Sequence, residues 1–214
     1  HPNECVLLLI FVLLFIIMAA LSPGKFLTAV NLQTMAYQMP EFGLMTLAMM
    51  IAVLTGGINL SICTGATVAG ILAGLFMTSS FGQQNPAAAT ALGVVMIVVI
   101  ACITGLINGW MIAYVGVAAM LVTLGTRMVF EGYGLQVTKG GSVSGFPEQF
   151  LNIGTATILG IPVSMIVFVA IAVLSYYMFE RSKWGNEVYM IGCNETAARF
   201  SGIKTKRVLL RVYI

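Results

Sequence analysis

Few side chains in this sequence could do chemistry, and their spacing limits what that chemistry could be. Arg127 and Glu131 lie four residues apart, hence on one helical face, inside a largely apolar run. Charge inside a bilayer is costly and is kept where it pairs, snorkels toward an interface or lines a polar path, so an intramembrane ion pair and a role on a solute path are both open for these two. Asn59 and Ser61 follow the paired Gly56 and Gly57, and Asn108 sits between Gly105 and Gly109. Glu187, Glu195 and Arg199 share one polar stretch near the end. The single histidine is the terminal His1. The four cysteines, Cys5, Cys63, Cys102 and Cys193, lack the close spacing of a metal site and read as small packing residues rather than a disulfide framework. None of the phosphate-loop, dinucleotide-binding or H-E-x-x-H patterns occurs. These residues do not assemble a nucleophile, a base and an electrophile, so the sequence reads as a conduit rather than an enzyme, with no cofactor held by this chain.

The elements that must position these groups are membrane helices. Of 214 residues, 59% are hydrophobic and 8% charged, against about 25% charged in an ordinary soluble domain. The expected fold class is all-α, a polytopic helical membrane protein forming a single transmembrane domain over 1–214. The net charge of +3 does not indicate a nucleic-acid partner, because seven of the ten Lys and Arg fall between Arg181 and Arg211. A basic cluster of that kind orients a protein in the bilayer, and it marks 180–207 as a cytoplasmic loop.

About six spans follow along the chain. Val6 to Leu21 is the first; a signal peptide is the competing reading, but no basic region precedes it. Asn31 is expected to cap a second span running to Leu54, kinked at Pro40, with Glu41 near the outer interface. Gly56, Gly57, Asn59 and Ser61 then interrupt the apolar pattern, which predicts a turn or a broken helix at or near membrane depth. Beyond the break, Gly65, Ala69 and Ala73 recur every four residues, as do Gly70 and Gly74, leaving two faces bare for close packing. Asn85 and Pro86 open a fourth span from Ala87 to about Ala113, with the Gly105–Gly109 pair read first as a packing face. The fifth covers about Val117 to Val137, and the sixth runs from Ile161 or Pro162 to Phe179. Parity puts 22–33, 79–86 and 138–160 outside and the amino terminus inside, in agreement with the basic cluster. The opening His1 and the apolar run just beginning at Val212 suggest a piece of a longer product.

The stretch GNEVYMIGCNETAARFSGI, Gly185 to Ile203, is polar and basic-flanked, as a cytoplasmic loop that meets a soluble partner would be. Together with GGINLS at Gly56, GLINGW at Gly105, TLGT at Thr123 and GIPVS at Gly160, in that order along the chain, it resembles the permease subunits of bacterial ABC importers of the ribose, xylose and autoinducer-2 branch. The resemblance implies residence in the bacterial inner membrane, a second permease subunit, a cytosolic ABC ATPase that handles ATP and Mg, and an extracytoplasmic solute-binding protein delivering a sugar or similar solute. It further implies that Gly192, Asn194, Glu195, Ala197, Ala198, Arg199 and Gly202 belong to the coupling helix that docks on the ATPase. Gly56, Gly57, Asn59, Ser61 and Asn108 are then the expected translocation-path residues. Two positions depart from the family pattern: Asn59 stands where the family usually has aspartate, and Cys63 where it has glycine. The family also continues with further helices past the coupling loop. A permease for branched-chain amino acids or nucleosides, an ATPase-independent secondary transporter and a non-transporting scaffold are the alternatives. The secondary transporter predicts ionisable residues near the bilayer midplane, of which the chain offers few, and the scaffold leaves the Gly56–Ser61 break unexplained.

Overall fold

In the computed structural model, which describes residues 2–158 and 160–214, every expected span is met by a helix. His1 lies outside the described residues. The chain begins with α1 (Pro2–Leu21), exposed along the part from Cys5 onward, and a single turn, α2 (Pro23–Phe26). Phe15 meets Phe26 edge-on, with ring centroids 5.1 Å apart, and this joins the two. Next comes α3 (Ala29–Leu54). Its cap is Thr28, whose hydroxyl accepts from Asn31 N, so the expectation of an Asn31 cap is corrected. The Asn31 amide instead turns back and donates to Phe26 O at 2.8 Å. The helix continues through a buried Pro40.

After the break come α4 (Ile62–Met77), the short α5 (Ser80–Gln84) and α6 (Pro86–Trp110). Pro86 takes the first turn of α6 as expected, but the Asn85 side chain makes no capping hydrogen bond. The last turn of this span is a π-helical segment, Met111–Val115, closed by a left-handed Gly116 (φ 83°). The chain then forms α7 (Ala119–Thr138), α8 (Glu148–Thr155) and a two-residue antiparallel ladder, β1 (Thr157–Ile158) with β2 (Ile161–Pro162). It ends with α9 (Val163–Arg181), α10 (Lys183–Cys193), α11 (Glu195–Phe200) and α12 (Thr205–Tyr213). Among the described residues, three helical stretches are long and apolar enough by length and composition to cross a membrane, Ala29–Leu54, Pro86–Val115 and Val163–Arg181; Cys5–Leu21 and Ile62–Met77 are shorter apolar helices. The chain is thus an α-helical membrane protein, and the large exposed apolar surface of these helices is what a lipid-facing wall requires.

Small residues set the packing. On α4, Gly65, Ala69 and Ala73 are buried, and α4 packs chiefly on α6 and α7. The second small-residue face divides: a Cβ on Gly74 would press on Phe146, whereas Gly70 faces open space. The Gly105–Gly109 pair is a packing face whose partner is α12, since a Cβ on Gly109 would come within 2.9 Å of Leu210 O and one on Gly105 would strike Tyr213 O. Two buried clusters result. One gathers Ala73, Met77 and Ala89 beside Phe146 and Phe150. The other, at the opposite end of α4, gathers Ala52, Ala113, Val188, Ile191, Ala198 and Val208 among others.

Candidate functional site

Residues 55–61 are non-helical, so the break lies where the glycine, amide and hydroxyl pattern placed it. Gly56 takes a left-handed conformation (φ 78°), which a residue with a Cβ adopts only at a cost. Side chains then pin the irregular backbone. The Asn59 amide oxygen accepts from Ser61 N at 3.1 Å and from the Ser61 hydroxyl at 2.8 Å, and the Thr123 hydroxyl donates to Ile58 O at 3.0 Å. A long-range bond completes the network, with Asn108 Nδ2 donating to Ser61 Oγ at 2.7 Å. Asn59, Ser61 and Asn108 are all buried, and the Asn108 Oδ1 atom is buried without a partner. The structure therefore brings together three of the residues expected on the path. The role of Asn59 in this network needs only a carbonyl oxygen. All three also line a cavity of about 300 Å³ between α4, α6 and α12.

The polar stretch folds as two helices divided at Asn194. In α11 the Asn194 side chain accepts from Ala197 N at 3.0 Å, a regular N-cap. The other end is a Schellman closure: Ile203 N donates to Ala198 O and Gly202 N to Arg199 O, both at 3.1 Å, around a left-handed Gly202 (φ 84°). The helix has two unlike faces. Ala198 is buried in the cluster with Val188, Ile191 and Val208, while Glu195, Ala197, Arg199 and Phe200 are exposed. The two alanines thus seat different surfaces: Ala198 is packed within this chain and Ala197 faces outward. Gly192 is solvent-exposed but lies against the end of α3, where a Cβ would collide with Leu54 O.

Glu195 and Arg199 share a cavity of about 880 Å³ with Gly56, Gly57 and Gly116. The basic side chains of Lys204, Lys206 and Arg207 line it too, and the Lys206 ammonium stands 5.7 Å from the centre of the Tyr114 ring. The two expected sites, the break and the polar helix, are therefore neighbours across one cavity. Alongside α4 and α7, the exposed Arg127 and Glu131 line a different cavity together, of about 660 Å³, with no ion pair between them within 4.0 Å among the described residues. Sequence reasoning missed Phe200, the most exposed large apolar side chain among the described residues at 83%, with the Arg199 guanidinium 5.9 Å from its ring centre. Its signal was an aromatic ending a short helix whose other neighbours are small or charged. Also missed was Thr123, whose hydroxyl ties α7 to the break.

The chain thus presents a helical membrane bundle with a paired-glycine break beside a short helix capped at both ends. Residues 31–214 match the family described as branched-chain amino acid transport system / permease component, and the chain belongs to that family. It is 30% identical over 205 residues to the D-allose transport system permease protein of Escherichia coli strain K12, covering 96% of this chain and 61% of that protein. It is 29% identical over 177 residues to the autoinducer 2 import system permease protein of Yersinia enterocolitica, and 28% identical over 177 residues to that of Yersinia pseudotuberculosis serotype O:1b. These two matches cover 80% of this chain and 51% of each relative, so the chain spans between about half and three-fifths of the proteins it resembles. No solved structure matches it.

Proposed function

We propose that this chain is a transmembrane permease subunit of an ATP-driven importer for a sugar or similar small polar solute. It resides in the bacterial cytoplasmic membrane with its amino terminus and the 180–207 loop on the cytoplasmic side. ATP and Mg are handled by a separate cytosolic ABC ATPase that docks on α11. A second permease subunit, identical or homologous, completes the pathway, and an extracytoplasmic binding protein delivers the solute. The observation that carries this reading is the two-faced α11. Its Ala198 side is built into the cluster that holds the end of α3, and its Glu195, Arg199 and Phe200 side is free for a partner. A displacement imposed on that free side has a packed route to Leu54 through Gly192, and from there to the break at Gly56–Ser61. Phe200 supplies the aromatic anchor on which interface affinity concentrates, with charged neighbours as the rim.

The test is co-purification of the full-length protein with the ATPase encoded beside it, comparing wild type with Glu195→Arg and Phe200→Ala. Retention by wild type and loss in both variants, with the permease still monodisperse, is the expected result. Retention and transport that survive both substitutions would place the coupling elsewhere. The names of the relatives support a sugar or autoinducer cargo; accumulation of labelled leucine instead by the reconstituted transporter would move the cargo to the amino acids in the family's description.

A further inference from the structure

The cavity of about 880 Å³ beside α11 has the volume of a small-molecule site and a wall rich in hydrogen-bond donors. Lys204, Lys206 and Arg207 line it as exposed side chains, and none of them lies within 4.0 Å of a carboxylate among the described residues. With Arg199 they set four cations against one acid, Glu195, in the lining. Exposed cations alone would be a solvated face. Two hydroxyls in the same lining do not fit that description. Tyr213 is 5% exposed and Thr205 4%, and neither hydroxyl makes a hydrogen bond among the described residues. The Tyr213 hydroxyl lies against Gly57, which belongs to this wall and not to that of the smaller cavity that Tyr213 also borders. Two helices also begin here. α7 starts at Ala119, after Val117 and Ala118 in the lining, and α12 starts at Thr205, after Lys204; neither has a side-chain cap. The first amides of an uncapped helix are donors without an acceptor, at the positive end of the helix dipole.

A buried hydroxyl with nothing to bond costs free energy, and a ligand made of acceptor oxygens relieves it. A cation would be repelled by this lining, and a neutral polyol would gain nothing from the excess positive charge. A carboxylate offers two oxygens in one plane, whereas a phosphate spreads three or more around a tetrahedron and can meet donors arriving from α7 and α12 together. We propose that this cavity binds a phosphate-bearing anion, whose oxygens accept from the Tyr213 and Thr205 hydroxyls while Lys204, Lys206 and Arg207 supply the countercharge. The headgroup of an anionic phospholipid and a soluble phosphate ester share this chemistry. Once seated, the anion joins α12 to the start of α7 beside the left-handed Gly56 and Gly116, and so resists a change of shape at the break. The inference goes beyond the permease reading and is independent of the cargo.

The experiment uses the full-length protein in micelles stripped of phospholipid. One arm titrates glycerol phosphate by calorimetry, with chloride matching the ionic strength. The other follows, by native mass spectrometry, retention of phosphatidylglycerol against phosphatidylcholine. Both are run on wild type, on Tyr213→Phe, and on a variant combining Lys204→Gln, Lys206→Gln and Arg207→Gln. A control variant combines Arg181→Gln, Lys183→Gln and Arg211→Gln, which removes the same charge from side chains outside the cavity lining. The expected result is saturable binding of at least one probe. It should weaken about tenfold in Tyr213→Phe, the size of one lost hydrogen bond to a charged group, and further in the cavity variant, while the control stays close to wild type. Tyr213→Phe keeps the ring and removes a hydroxyl that bonds to nothing in the chain, so it guards against misfolding. Binding of glycerol phosphate supports the site and assigns a soluble source; retention of phosphatidylglycerol alone supports it and assigns the lipid. Saturable binding of neither probe, equal loss in the cavity and control variants, or unchanged affinity in Tyr213→Phe would each overturn the assignment.

Discussion

Replacing Ser61 with alanine tests whether the buried amide–hydroxyl network holds the break in shape. The Ser61 hydroxyl makes two bonds, donating to Asn59 Oδ1 at 2.8 Å and accepting from Asn108 Nδ2 at 2.7 Å. Without it Asn59 keeps its bond from Ser61 N, at 3.1 Å. Asn108 fares worse, because its Oδ1 is already unpartnered and the whole buried amide would be left unpaired. An orphaned buried polar group costs about 1–3 kcal/mol in soluble proteins, but side-chain hydrogen bonds within membrane bundles average only about 0.6 and reach about 1.7. The burial of all three partners places Ser61→Ala toward the upper part of that membrane range, at about 1.5 kcal/mol. Asn108→Leu removes the amide that would be orphaned, so the double variant should cost less than the two singles together, by about 1 kcal/mol. The assay is equilibrium unfolding of the full-length protein in mixed micelles titrated with dodecyl sulfate, run as a double-mutant cycle. Strict additivity of the two substitutions would refute the network as a source of stability.

Two other substitutions probe backbone and packing. Gly202→Val puts a β-branched residue where φ is 84°, costing about 1–2 kcal/mol locally, and should fray α11 so that ATPase retention falls while the permease remains monodisperse. Gly109→Leu forces a side chain into the Leu210 backbone and should destabilise by about 1–3 kcal/mol in the same unfolding assay, whereas Gly70→Leu, which meets open space, should be close to neutral; equal effects would contradict the α6–α12 contact.

Hydropathy made the helices legible, because a bilayer rewards long apolar runs whatever their neighbours. The break was legible for the same reason in reverse, since paired glycines followed by an amide and a hydroxyl leave no other fold at that depth. Gly202 closes α11 because the left-handed position that ends a helix favours glycine so strongly. What sequence did not show is which donor takes which acceptor. Asn31 and Asn85 both looked like caps, yet Thr28 caps α3 and Asn85 caps nothing with its side chain. An amide competes among several nearby carbonyls and amides, and Asn31 found Phe26 O. The bond from Asn108 to Ser61 spans 47 residues and depends on the register of α6 against the break, which no local pattern encodes. The π-helical turn at Met111–Val115 was hidden likewise, because a one-residue widening leaves composition unchanged.

That turn bears on how a coupling motion would be absorbed. The cavity beside α11 is bounded by Gly56 and Gly116, both left-handed and both with open space where a Cβ would be. They stand at the ends of α3 and of the π-helical segment, where the chain already departs from the α-helix. The helix contacts nearby are tight, with Gly57 against the Tyr213 hydroxyl and Gly105 and Gly109 against the α12 backbone. Packed helices move as rigid bodies, so a pull on α11 would be taken up at the few residues whose dihedrals are free. On the proposed coupling those are Gly56 and Gly116, while the Asn59–Ser61–Asn108 bonds carry the displacement into α6. Tight packing on one side of the cavity and two permissive glycines on the other therefore divide the labour: the first transmits the motion and the second lets the break change shape.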